Sequence, residues 1–212
     1  MKRIISALIA LLVAVAYASA APKAPKYKNK QLALFYYTLT ADQASMAHLN
    51  QYKSQFEADP KVDPIEKALR YRIFDLVKSR LESEIGLGFL PIESFQSSID
   101  YDKYGFPSGN INKVIRLGNS KLYFKLDVTI SSASESGNAT GMKPTVSIVL
   151  TVFNNKGIIP VDKFQGVGKA SDALQTNAAL VNGLANDKPI DEKGSLMNIA
   201  NDAVSDLIIN ML

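Results

Sequence analysis

An apolar run extends from Ile4 to Tyr17, interrupted only by Ser6, behind the basic pair Lys2 and Arg3 and ahead of Ala18-Ser19-Ala20. A basic start, a short apolar centre and a small-residue end predict a secretory signal over residues 1–20, cleaved after Ala20. The run falls short of the roughly 20 residues a membrane-spanning helix needs. Residues 21–30, APKAPKYKNK, place Lys23, Lys26, Lys28 and Lys30 around two prolines. They read as an extended, solvated basic leader, with contact to anionic lipid or cell-wall polymer as the functional alternative.

From Gln31 to Leu39 apolar side chains fall on both alternating faces, which suits an interior strand covered on both sides. Thr40 and Gln43 then offer a capping box for a helix carrying Met46, Leu49 and Phe56. The next helix is the best signed. Asp63 caps it, Pro64 occupies its first position, and Ile65, Leu69, Ile73, Leu76, Val77, Leu81 and Ile85 form a stripe facing a core. Gly86 stops it in the left-handed conformation. The strand-like GFLPIESF follows, and Pro91 within it points to an edge position.

Ser97 to Asn112 is polar and rich in Gly and Pro, and reads as a loop. Strict alternation returns over Lys121–Ser131 and Thr145–Phe153. Between them, SSASESGNATGMKP reads as a mobile hairpin loop. A weaker strand, Lys163–Lys169, closes an antiparallel meander of three. Ala170–Ala185 has a helical pattern weakened by Gly183. Ser195 caps a last helix with Leu196, Ile199, Ala200, Ala203, Val204, Leu207, Ile208 and Met211 on its buried side. Residues 31–212 are therefore expected to form a single α+β domain. Its small mixed or antiparallel sheet, of about five strands, packs against the long amphipathic helix and the C-terminal helix.

Composition narrows the chemistry. The 212 residues include no Cys and one His, which excludes disulfides, thiol nucleophiles, Cys-ligated metals and any site needing two imidazoles from one chain. No lipid-bearing cysteine is present either, so no membrane anchor is expected after signal cleavage. Loss of Lys2 and Arg3 lowers the formal charge from +4 to +2, and a chain so near neutrality is not a nucleic-acid binder.

Three local patterns fall short of function. Gly166-Val167-Gly168-Lys169-Ala170-Ser171 lacks the first glycine and the hydroxyl of a phosphate loop, having Lys163 and Ala170 there, and reads as a strand end leading to a helix cap at Ser171. Asp100-Tyr101-Asp102 opens like a calcium loop, but Tyr104 and Ile111 stand where ligands are needed. His48 has no partner set fit for acid–base or metal work. No catalytic residue, metal ligand or cofactor is therefore expected. Tyr101, Tyr104 and Phe106 are the candidate binding residues, because aromatics on a polar loop can anchor a partner or stack on sugar.

The segment Arg72–Ser94, the strands YFKLDVTIS and TVSIVLTVFNNKG, the strand end GVGKAS and the closing MNIANDAVSDLI resemble bacterial envelope domains of the type in the curli-secretion lipoprotein and the amino-terminal domain of the Tol-system propeller protein. The chain departs from them in lacking the lipid-bearing cysteine and in carrying an extra early helix. The resemblance implies a non-catalytic domain acting through protein contacts, by self-association or with an envelope partner, and it carries over no catalytic residues. The expectation is a periplasmic or secreted interaction or assembly module, with the Gln31–Leu39 or Lys163–Lys169 strand edge as its fitting surface. The alternative is a binder or carrier of a small apolar or glycan ligand held between sheet and helices, with the Ser97–Asn112 loop at the mouth.

Overall fold

The computed structural model describes residues 25–51, 53–56, 58–91, 99–132, 141–170, 174–175 and 195–212. Strand β1 (Gln31–Ala41) is followed by helix α1 (Gln43–Asn50), a 3-10 turn (Lys53–Gln55) and helix α2 (Pro64–Arg80). Helix α2 runs on through a π-type turn (Leu81–Ile85) to β2 (Gly88–Phe89). Then come α3 (Ile111–Leu117), β3 (Leu122–Ser132), β4 (Gly141–Met142), β5 (Pro144–Asn154), β6 (Asp162–Lys169), β7 (Leu174–Gln175) and α4 (Leu196–Met211). Five strands form one mixed sheet in the order β2-β1-β3-β5-β6, parallel across β2, β1 and β3 and antiparallel from β3 onward. This is the expected α+β architecture, and β3-β5-β6 is the expected meander. Strands β4 and β7 pair separately.

The core follows from the alternation. Strands β3 and β5 pair from Leu122↔Asn154 to Ser132↔Pro144, so their apolar stripes join into one face. On it Phe124, Leu126, Val128 and Ile130 lie beside Val146, Ile148, Leu150 and Val152, all fully buried. The stripes of α2 and α4 close over this face in the same cluster. Ala33, Phe35, Ile99, Val114, Tyr123 and Phe153 form a smaller cluster on the other face, under α3. Strand β1 is thus covered on both sides, as its sequence predicts.

Helix α2 starts where the sequence places it. The Asp63 carboxylate accepts hydrogen bonds from the Ile65 and Glu66 N–H groups at 3.0 and 3.1 Å, with Lys53 Nζ at 2.8 Å. Partial burial alone would raise the pKa of Asp63, but the bonds from Lys53, Glu66 and Ile65 outweigh it and hold the group below its usual value. A depressed folded-state pKa contributes stability above the unfolded value, and that contribution is lost as pH falls through the folded one. Asp63→Ala is expected to cost about 1 kcal/mol at pH 7. In urea unfolding the gap from wild type should narrow at about pH 3; a gap of the same size at both pH values would assign the loss to packing.

Several local expectations give way. Thr40 is not a cap. Strand β1 stays paired with β3 as far as Ala41↔Ile130, and Asp42 caps α1 instead by accepting the Ser45 N–H at 2.7 Å. The helix ends at Asn50, short of Phe56. The described end of the leader is not extended and solvated: residues 26–29 turn, and Tyr27 is only 4% exposed. Its ring packs edge-on to Phe164 while its hydroxyl donates to Asp162, so the apolar body and polar tip of the tyrosine are both satisfied. Helix α3, capped by Asn110, occupies a stretch with no predicted element. Leu174 and Gln175 pair as β7 rather than lying in a helix. The ends of the predicted loop SSASESGNATGMKP are strand, Ser131 and Ser132 in β3, Gly141 and Met142 in β4 and Pro144 in β5. The rest of the 170–185 pattern beyond Ala170, the cap at Ser171, the signal over residues 1–20 and residues 133–140 of that loop lie outside the described residues.

Candidate functional site

The candidate loop folds inward. Its carboxylate Asp102 organises it, with Oδ1 accepting the Tyr104 and Phe106 N–H groups at 2.9 Å each and Oδ2 meeting Arg70 Nη1 at 3.1 Å. The loop then adds to the free side of β1. Tyr37 N–H donates to the Pro107 carbonyl and Gly109 N–H to the Phe35 carbonyl, both at 2.9 Å. The Gln31–Leu39 edge is therefore occupied by the chain itself, at one end by β2 and farther along by this loop, and is not the fitting surface the sequence suggests.

The three aromatics consequently part company. Phe106, 2% exposed, sits among Tyr37, Tyr71 and Phe74 with ring centroids 4.6, 4.8 and 5.4 Å away. Tyr104, 5% exposed, donates its hydroxyl to Glu66 and stacks under the Arg70 guanidinium at 4.7 Å. Burial, then the bond to the Glu66 carboxylate, pushes the Tyr104 phenol up. Only Tyr101 keeps a half-buried ring at the surface. Tyr104 and Phe106 thus pack into the domain, because a loop this well bonded carries its rings into the nearest apolar face. Among the described residues, the space between sheet and helices is filled by core side chains, with Tyr104 and Phe106 of this loop among them.

The would-be calcium loop spends its carboxylates in the same way. Asp100 meets Lys113 at 3.2 Å and Asp102 holds the turn and Arg70. Among the described residues no group of three or more His, Asp or Glu could hold a metal. Gly166 and Gly168 lie in β6 where α4 crosses it, far from any role with phosphate. His48 lies on α1.

The accessible features lie elsewhere. Strand β6 is the sheet's long edge, and α4 lies over it. Two side chains of α4 reach the edge: Asp206 Oδ2 accepts the Val167 N–H and Asn210 Nδ2 donates to the Gln165 carbonyl, each at 2.9 Å. Lys163, Phe164, Gln165, Val167, Asp206 and Asn210 line a shallow groove of about 590 Å³ there. A second groove, of about 630 Å³, runs along Asn29, Lys30, Gln31, Leu90, Asn119, Ser120, Lys121 and Leu122. At the β5–β6 turn, Ile158, Ile159 and Val161 are exposed.

No family model and no curated protein matches this chain. Solved structures similar to it are bacterial. A hypothetical protein from Chlamydia trachomatis is 10% identical, over 86% of this chain and 94% of that one, with a TM-score of 0.42. A protein from Xanthomonas campestris is 12% identical, over 89% of each chain, at 0.38. A lipoprotein from Neisseria meningitidis is 11% identical, over 73% of this chain and 92% of that one, at 0.34. At these values the likeness is one of outline.

Sequence reasoning meets Asp102 only within a calcium-like pattern and does not single out Arg70, Asp206 or Asn210 as residues that build the site. The signal for Arg70 is a positive charge on the same helical side as Leu69 and Ile73, where a solvated lysine-like role is the default. Asp206 and Asn210 carry a fainter one, as polar positions spaced by four beside the apolar stripe of the last helix.

Proposed function

We propose that this protein is a non-catalytic exported module that acts through protein contacts, binding an extended segment of an envelope partner along β6. The supporting observation is the β6 edge itself. Backbone N–H and C=O groups alternate in direction along an antiparallel strand, so those of Lys163, Gln165, Val167 and Lys169 point away from β5. A partner strand satisfies these groups by β-addition, displacing Asp206 and Asn210, which hold one N–H and one carbonyl in the meantime. Pairing of β6 with its own copy about Gly166 sets Lys163 opposite Lys169, and like charges directly opposed destabilise a ladder. Acidic residues on the partner suit these two lysines. The resemblance to curli-secretion and Tol-system domains agrees with a role of this kind.

Gln165→Pro tests it. Proline removes an outward N–H without touching the β5 ladder, so the variant should fold as wild type does. Native mass spectrometry of the chain purified gently from its own envelope should show a heteromeric complex of fixed stoichiometry, absent for the variant. A complex that survives the proline, or a wild-type chain with no second polypeptide, would overturn β6 as the contact. Among the described residues, the carrier reading is favoured by the groove of about 630 Å³ with its two lysines and three carboxamides. Its signature is a monomer carrying a few hundred extra daltons.

A further inference from the structure

We infer that the β5–β6 turn is a membrane-surface contact, with Ile158, Ile159 and Val161 entering the headgroup–acyl boundary of an anionic bilayer and lysines standing at the lipid phosphates. The contact goes beyond the assembly reading and rests on the turn rather than on the β6 edge, the two sharing Lys163 alone. The three side chains are 52%, 78% and 40% exposed on a turn that the chain holds firmly. Lys156 N–H donates to Asn154 Oδ1 at 2.9 Å, Val161 N–H to the Val152 carbonyl at 2.8 Å, and Asn155 N–H to the Lys121 carbonyl at 3.2 Å. Pro160 fixes one more dihedral angle. A pinned turn that presents branched aliphatic side chains to water pays their hydration for as long as nothing covers them.

Charge selects the occupant. Lys156 and Lys163 flank the aliphatic run in sequence. Lys26 is brought to it by an ion pair with Asp162 at 2.6 Å, and Asp162 is the sole carboxylate between Asn154 and Lys163. Helix α4 runs antiparallel to β6, since Ile199 lies at Gly168 and Asn210 at Gln165. Its exposed Ile209 and Leu212 therefore lie toward the same end of the sheet as the turn. Protein contacts are anchored by Trp, Tyr and Arg, and the turn offers none of them. Aliphatic residues inside a collar of lysines match a lipid surface, where each lysine near anionic headgroups adds to binding.

Vesicle flotation of the exported chain tests this. Wild type should float with vesicles of equal phosphatidylglycerol and phosphatidylcholine, and far less with phosphatidylcholine alone. Ile158→Ser with Ile159→Ser should lower the bound fraction about ten-fold. Lys156→Gln should make binding weaker and less sensitive to salt, each variant keeping the wild-type melting temperature. A wild-type chain that stays with the soluble fraction, or a serine variant that floats equally well, would overturn the contact. So would a serine variant that changes the oligomeric state in light scattering and leaves vesicle binding untouched, because the turn would then serve a protein interface.

Discussion

Replacing Gly168 with valine is expected to unseat the C-terminal helix and to remove about 3 kcal/mol or more of stability. Helix α4 passes so close to β6 that the edge strand has no room for side chains beneath it. A Cβ on Gly168 would press into the Ile199 carbonyl oxygen and lie 2.9 Å from the Ala203 nitrogen. On Gly166 it would press into the Ala203 carbonyl oxygen and the Leu207 backbone, with Leu207 Cβ at 2.7 Å. These obstacles are backbone, so no rotamer change relieves them. The helix has to lift, and with it the buried stripe from Leu196 to Met211. For a domain of this size the loss corresponds to a fall in melting temperature of roughly 6–12 °C. Gly157, with nothing within 4 Å of its absent Cβ, is the control, and Gly157→Ala should stay within about 0.5 kcal/mol of wild type. Urea unfolding followed by far-ultraviolet circular dichroism measures both. A valine at Gly168 that costs under about 1 kcal/mol would mean that α4 does not rest on this strand.

The same pair of glycines shows what the sequence conveys and where it stops. The periodicities of 2 and 3.6 are legible because they are local, and they yield β1, α2, β3, β5, β6 and α4 nearly in full. The glycines in GVGK are visible too, yet their purpose depends on Ile199, Ala203 and Leu207, some thirty to forty residues on, and no local pattern links them. Thr40 failed as a cap for a related reason. Tyr123 to Ile130 of β3 hold β1 in the ladder up to Ala41, and that pairing outweighs a helix signal worth about 1 kcal/mol. For Tyr27, Tyr104 and Phe106 the polar neighbourhood in sequence suggests exposure that the fold does not give them. Each is buried by a distant partner, Phe164 and Asp162 for the first and α2 for the other two. The Lys163–Lys169 strand is legible in the sequence, whereas the bonds of Asp206 and Asn210 to its outward N–H and carbonyl are visible only in three dimensions.

Arg70→Met is expected to cost about 3 kcal/mol and to loosen residues 99–109 as a unit, since removal of the cation leaves two largely buried carboxylates without their counter-charge. Arg70, with a side chain 10% exposed, engages several neighbours with its guanidinium. Nε and Nη2 hold Glu66 Oε1 at 3.1 and 2.9 Å, Nη1 holds Asp102 Oδ2 at 3.1 Å, and Nη2 also reaches the Leu39 carbonyl at 3.3 Å. Its flat face lies over the Tyr104 ring. Methionine keeps much of the volume and none of these bonds. Two carboxylates about a quarter exposed then face each other without their cation, and the Leu39 carbonyl loses a donor. Lysine is a poor substitute, having a single point charge where two carboxylates and a carbonyl are met by a planar fork. Arg70→Lys should therefore recover less than half of the loss. Hydrogen exchange supplies the spatial readout. The N–H groups of Tyr37, Tyr104 and Phe106, bonded to the loop or within it, should lose protection together, while those at the centre of β5 keep theirs. An Arg70→Met protein within about 0.5 kcal/mol of wild type would show that Asp102 and the β1 pairing hold the loop without the guanidinium.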